Sequence, residues 1–321
     1  MADEKGQNWL QRVGNVRELN VLGFVVIAGI LIFLLNPTFL TLFNLQVIAR
    51  QVAVFGILAI AETFVIIVLG IELSVGSMVA FSGMIAALII TKTGSLLLAI
   101  VGVPLMSGLI GAYHGLMVTR LNIAPFIVTL GSLSMLRGAA FVLSRGYPVL
   151  VADERFRWIG QGLIGPLPVP LVILLVVSAF TWFILRYTIL GRYIYAIGGN
   201  PEASRMSGVP VRWVLLFVYI QAAVLSSVVG LIIAGRMAEG LASVAVGYEL
   251  TAIAAAVIGG TSFLGGVGSI PGAVLGALLM GMIDNAMITL RVDPYWYNLV
   301  TGVIIILAVV IDVLRSRNQV S

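Results

Sequence analysis

The 321-residue sequence contains no cysteine and a single histidine, His114. Disulfides, thiol catalysis and thiolate metal sites are excluded, and a histidine-built metal centre lacks a second ligand. Charge is scarce: Asp, Glu, Lys and Arg make up 10% of the residues, against about 25% in a soluble globular chain. No glycine-rich phosphate loop ending in Lys and Ser/Thr occurs, and no polar stretch is long enough to fold as a separate catalytic domain. The net charge of +5 points first to nucleic acid, but the 18 Lys and Arg residues are scattered over short loops. Nucleic acid is therefore not expected as a partner, and no bound metal or cofactor is expected.

Apolar residues are what the chain has in excess, at 60% of the total with a mean hydropathy of +1.14. A water-soluble fold has no place for so much apolar surface, because its exterior still requires polar cover; in a bilayer the exterior is hydrocarbon. The fold class expected is an all-α integral membrane protein. A hydrocarbon core of about 30 Å takes about 20 helical residues, and apolar runs bounded by polar or Gly/Pro punctuation recur along the chain. They predict about ten spans, near 20–36, 46–69, 73–91, 95–118, 125–143, 169–186, 213–234, 250–264, 270–290 and 295–313. Met1–Asn20 is largely polar and mixed in charge, unlike a cleavable signal peptide, so the first run reads as an uncleaved span. The organisation expected is a tail over 1–19, one transmembrane unit over 20–314 and a second tail over 315–321.

Loop charge sets the expected orientation. With the N-terminus inside, the cytoplasmic loops hold Lys5, Arg12, Arg17, Arg120, Arg186, Arg192, Arg205, Arg212, Arg315 and Arg317. The opposite side holds Lys92, Arg145, Arg155, Arg157, Arg236 and Arg291, and Arg50 and Arg137 fall inside spans. The bias, together with an even span count, places both termini in the cytoplasm. The longest outer loop is then 144–168 and the longest inner loop 187–212.

The inner loop carries the clearest local pattern. Asn200 suits an N-cap, Pro201 the first helical position, and Glu202 the positive end of the helix dipole. Gly208 suits the residue past the end, and Pro210 prevents continuation. The spacing predicts a helix of about two turns outside the bilayer, either closing a loop or docking on a soluble partner. Other candidates are intramembrane. Glu62 lies within the second apolar run, where a carboxyl is expensive and functional by default; it lines a polar pathway or bonds a neighbouring helix. Asp284 and Asn285 are adjacent near the middle of the ninth span and project about 100° apart, so they face different surroundings. Glu72 lies in the turn before the third span, with Ser74 suited to cap that span. His114 has no carboxylate at helical spacing and reads as a packing residue. Gly108, Gly111 and Gly115, and Gly272 with Gly276, form small-residue ridges for close helix approach. Gly259, Gly260 and Thr261, followed by Gly265 and Gly266, predict an interrupted helix whose backbone groups are available to a passing solute.

The stretch GRYIYAIGGNPEASRMSGV in the inner loop resembles the cytoplasmic loop of permease subunits from bacterial ABC sugar importers of the ribose, arabinose and xylose type. Three more stretches resemble that family in the same order: GIELSVGSMVAFSG (70–83), PFIVTLGSLSMLRGAAFVLSRGYPV (125–149) and GYELTAIAAAVIGGTSFLGGVGSIPGAVLGA (247–277). The family commonly has Asp where Glu72 stands, and often Asn or Glu near Asp284. The resemblance implies a helical permease in the bacterial inner membrane that pairs with a second permease copy, as a homo- or heterodimer. A cytoplasmic ATPase subunit holding ATP and Mg drives it, and a periplasmic or lipoprotein sugar-binding protein feeds it. Gly191, Arg192, Asn200, Pro201, Glu202, Ala203, Ser204, Arg205 and Gly208 take the place of the ATPase-coupling helix. Ribose or another pentose is the first expectation for the cargo; a galactoside, a furanose sugar, a sugar-like signalling molecule or a nucleoside is the alternative within the family. An ion-coupled secondary transporter is the remote alternative, with only Glu62 and Asp284 to bind an ion. A membrane-embedded enzyme is disfavoured by the lack of clustered catalytic groups.

Overall fold

The computed structural model describes residues 17–293 and 295–320. The tail carrying Lys5 and Arg12 thus lies outside the described residues. Thirteen α-helices account for most of the described chain: α1 (Arg17–Leu35), α2 (Leu42–Ile67), α3 (Val75–Thr93), α4 (Leu96–Arg120), α5 (Pro125–Ser144), α6 (Glu154–Gln161), α7 (Val169–Tyr187), α8 (Ile189–Gly199), α9 (Pro201–Met206), α10 (Val211–Met237), α11 (Tyr248–Ile258), α12 (Ile270–Thr289) and α13 (Tyr295–Val320). Eight helices are long and apolar enough to cross a membrane, namely α1 to α5, α7, α10 and α12. With the 11-residue apolar α11 and the 26-residue α13, the chain has about ten membrane helices.

The boundaries follow local chemistry. Ser95 opens α4 by accepting the Leu98 N–H at 3.2 Å, Ser269 opens α12 by accepting from Gly272 at 3.2 Å, and Gly94 closes α3 in the left-handed region at φ 65°. Proline stands in the first turn of α5, α7, α9 and α12, where its missing N–H is harmless. Between α5 and α7, the stretch read as a loop contains α6 and three two-residue strands: β1 (Val149–Leu150), β2 (Leu163–Ile164) and β3 (Leu167–Pro168). β1 pairs antiparallel with β4 (Glu239–Gly240) after α10, with Val149 opposite Gly240. Asp153 caps α6 by accepting the Arg155 N–H at 2.8 Å, and its other oxygen takes the Arg155 guanidinium at 2.6 Å. These bonds to Arg155 hold the exposed Asp153 carboxyl down at about 2.

One helix forms the axis of the bundle. α2 is 89% buried along its apolar stretch, whereas α4 is 22% and α1 17% buried. α10, α12, α11 and α7 pack around it, with Phe55, Phe64 and Tyr219 among the large side chains fully enclosed. The small-residue ridges serve the close approaches expected of them. At Gly111 a Cβ would overlap the Tyr219 carbonyl on α10, and at Gly276 it would overlap the Ala255 carbonyl on α11.

The predicted span 250–264 is corrected. It begins at Tyr248 and stops at Ile258, about half the length a bilayer requires, because Gly260, Gly265 and Gly266 take φ of 94°, 77° and 68°. The 241–247 segment that precedes it is non-helical. It descends from β4, beside Gly83 and Met84 of α3, to Ala245, whose carbonyl lies against Gly76 at the start of that helix. Tyr248 stacks edge-on against Phe55, in the middle of α2, at 5.3 Å between ring centroids. α11 is therefore a half-span that begins inside the membrane.

Candidate functional site

α9 is built as its sequence specifies. Asn200 is extended (φ −161°) and its Oδ1 accepts the Ala203 N–H at 2.9 Å. Gly208 ends the turn at φ 83°, and the Val209 N–H returns to the Ser204 carbonyl at 3.0 Å. Pro201, Glu202, Ala203, Arg205 and Gly208 are exposed, Met206 is 91% exposed, and only Ser204 faces inward. The helix is a rigid, solvent-facing knob with an acidic start and a basic end. Gly191 and Arg192 are not on it. They belong to α8, an 11-residue helix within the predicted inner loop; Thr188 caps it by accepting the Gly191 N–H at 3.2 Å. Gly191 is buried against the backbone of Ile184 and Leu185, and Arg192 is exposed.

Through α8 the knob is latched to the glycine break. At Gly198 a Cβ would overlap the Ile67 carbonyl at the end of α2 and the Gly266 amide. The Gly266 N–H donates to that same Ile67 carbonyl at 2.9 Å, and the Tyr195 hydroxyl donates to the Gly268 carbonyl at 2.8 Å. Burial of Tyr195 pushes its phenol above the usual value. The end of the axial helix, the break and the surface helices thus meet in one backbone contact too tight for any side chain.

The other candidates fall in three separate places. Gly259 and Thr261 sit at the break, Gly259 against the backbone of Gly272 and Thr261 with its hydroxyl 3.4 Å from that of Thr63. Gly260 follows in the left-handed turn. Asp284 and Asn285 lie toward the opposite end of α12, and they diverge as their spacing requires. Asp284 is half-buried, while Asn285 exchanges two hydrogen bonds with Asn44 of α2 at 3.0 and 2.8 Å. Glu62 is fully enclosed between the helices, and neither carboxyl oxygen has a hydrogen-bond partner. Glu72 and Glu249 lie within its electrostatic reach.

Two readings of single residues change. His114 does have a carboxylate partner, on another element: its Nδ1 lies 3.1 Å from Glu72 Oε2 and its Nε2 2.8 Å from Ser132 Oγ, all buried. Helical spacing within α4 does not reveal a partner 42 residues away. Ser74 stands at the N-cap position of α3 but makes no side-chain cap; instead the Glu72 carboxylate accepts the Ser74 N–H at 2.8 Å and also its hydroxyl. Glu72 therefore ties the α2–α3 turn to α4 and α5.

Sequence reasoning also passed over Arg137, although a lone arginine within an apolar run was a visible signal. Its Nη1 donates to the carbonyls of Ala242 and Val244 at 2.7 and 2.6 Å, supplying partners to the non-helical segment. Among the described residues, no group of three or more His, Asp or Glu is placed to hold a metal ion.

A bundle of about ten membrane helices with a capped surface helix, one half-span and a glycine break defines a multi-pass helical membrane protein. Residues 44–309 match the family described as branched-chain amino acid transport system / permease component, and the chain belongs to that family. It is 36% identical to the ribose import permease protein RbsC of Haemophilus influenzae, over 92% of this chain and 93% of that one. It is likewise 36% identical to the L-arabinose ABC transporter permease protein AraH of Azospirillum brasilense, over 94% and 89%. The D-allose transport system permease protein AlsC of Escherichia coli is 37% identical, over 87% and 86%. No solved structure is matched by the chain.

Proposed function

We propose that this chain is the membrane-spanning permease of an ATP-driven sugar importer, carrying ribose or another pentose across a bacterial inner membrane. α9 is the coupling helix, seated in a groove of a cytoplasmic ATPase that holds ATP and Mg, with Glu202 and Arg205 as its charged contacts. Both termini are then cytoplasmic, α6 faces the opposite side, and an extracytoplasmic sugar-binding protein docks there. A second permease copy completes the pathway. The observation that carries this reading is the capped, exposed α9 latched through Gly198 to the end of α2. A surface knob with a rigid route to the protomer axis is what force transmission requires. The relatives named for ribose, arabinose and allose import support a monosaccharide cargo.

The test is reconstitution with the ATPase and the binding protein. ATP-dependent uptake of labelled pentose into proteoliposomes is expected, with none when ATP is withheld. Uptake by the permease alone under a proton or sodium gradient would sink the proposal.

A further inference from the structure

We infer that the edge formed by α5 and the non-helical 241–247 segment is the wall of the water-filled sugar path, with Arg137, Ser134 and Ser243 facing it. The inference rests on the importer reading and assigns that reading a pathway wall.

Arg137 stands twelve residues into the 20-residue α5, which puts it roughly 18 Å along a helix about 30 Å long. An arginine at that depth faces the bundle interior or water, not lipid. Both its hydrogen bonds run through Nη1 to Ala242 and Val244, and a guanidinium carries five N–H donors. The side chain is nevertheless only partly buried. Gly131, Ser134 and Gly138 share one exposed side of α5 with Ile127, Leu130 and Phe141, bordering Arg137 at Ser134, and a Cβ at either glycine would meet nothing within 4 Å. Across from Arg137, Ser243 is exposed on a backbone that is neither helix nor strand. Irregular backbone at membrane depth persists only when covered by protein or when it lines a water-filled cavity. α11 begins directly below, with Glu249 in its first turn within electrostatic reach of Arg137.

A guanidinium fork and two hydroxyls suit a neutral polyhydroxylated solute, which exchanges hydrogen bonds without requiring a counter-charge. Glu62 and Asn285 are enclosed, Gly259, Gly260 and Thr261 lie at the break, and the half-buried Asp284 is on α12, so none of them belongs to this surface.

The chain's lack of cysteine makes the test direct. Ser134→Cys and Ser243→Cys are introduced singly into the permease of the full complex and exposed to a charged, membrane-impermeant methanethiosulfonate. Leu109→Cys on α4 and Val176→Cys on α7, at 73% and 63% exposed apolar sites, serve as lipid-facing controls. Thiolate is the reacting species and is disfavoured in hydrocarbon, so both test sites should label at least about tenfold faster than the controls. Millimolar pentose should slow that labelling. Labelling of both test sites no faster than the controls overturns the inference. So does Ser134→Cys oxidising to a permease dimer while resisting the reagent, which marks a dry face packed on a second copy. Ser243→Cys keeps the test decisive where Ser134→Cys fails to assemble. Failure of the unmodified complex to take up any sugar, with labelling intact, counts against the importer reading instead.

Discussion

The Asn44–Asn285 pair offers a quantitative check on how α2 is held to α12. The two amides exchange hydrogen bonds at 3.0 and 2.8 Å, and Asn44 also donates to the Phe39 carbonyl at 2.9 Å. Both side chains are buried, at 8% and 3% exposure. Interhelical polar contacts in membranes average about 0.6 kcal/mol and reach about 1.7, so the two reciprocal bonds together are worth about 1–3 kcal/mol. Replacing one partner by the apolar shape nearest to it, Asn44→Leu or Asn285→Leu, also strands the other amide away from water, a penalty of about 1–3 kcal/mol. Each single variant should therefore lose about 2 kcal/mol, and the double variant little more than either alone. The assay is equilibrium unfolding of the purified chain in mixed micelles with increasing SDS, run as a double-mutant cycle. If the double loss equals the sum of the single losses, the pair contributes nothing as a pair and the reasoning is refuted. An Asn285 that instead touches cargo would reveal itself by a changed KM for transport with stability unaltered.

Ala203→Pro removes the N–H that Asn200 accepts and should weaken binding of the ATPase with membrane insertion intact, as pull-down of the ATPase by the purified permease will report; replacing Glu202 and Arg205 together should do the same. Asn200→Ala should loosen α9 by about 1 kcal/mol, visible as faster amide exchange at Ala203. Gly198→Ala must push apart the Ile67 and Gly266 backbones, an overpacking cost of about 1–3 kcal/mol, whereas Tyr195→Phe loses one hydrogen bond, about 1 kcal/mol; thermal unfolding should rank the first as the worse. Asp153 is depressed from 3.8 to about 2, so its support of α6 is complete above pH 4 and lost as the pH falls through 2. Trp158 fluorescence should follow that loss, weaken with salt as an exposed pair does, and lose its acid dependence in Asp153→Asn.

The spans were legible because each is a long apolar run, and α9 because Asn200, Pro201 and Gly208 each have a positional meaning independent of tertiary structure. α8 was missed because its cap, Thr188, follows directly on the last turn of α7 and leaves no polar gap. The half-span was overdrawn because the apolar run extends beyond Ile258 while the chain turns at Gly260; hydropathy registers composition, and φ decides where a helix ends. His114 with Glu72 and Arg137 with the 242–244 carbonyls join residues 42 and more than 100 apart, so no periodicity within one helix announces them. The pathway candidates chosen from sequence were the polar residues of spans, but polarity does not distinguish a side chain that bonds the next helix, as Asn285 does, from one that faces a cavity.

The axial position of α2 bears on how the protein is made. This helix holds Asn44, Gln46, Arg50, Gln51 and Glu62, yet it is the span most completely shielded in the finished structure. Its shield is synthesised late: α10 starts at Val211 and α12 at Ile270, long after Ile67 has left the ribosome. At roughly 5–20 residues per second, α2 waits on the order of ten seconds with a carboxyl and a guanidinium facing lipid or the insertion machinery. Its retention in the membrane therefore depends on chain not yet translated, and truncation before α10 is expected to leave α2 outside the bilayer or to mark the nascent protein for degradation.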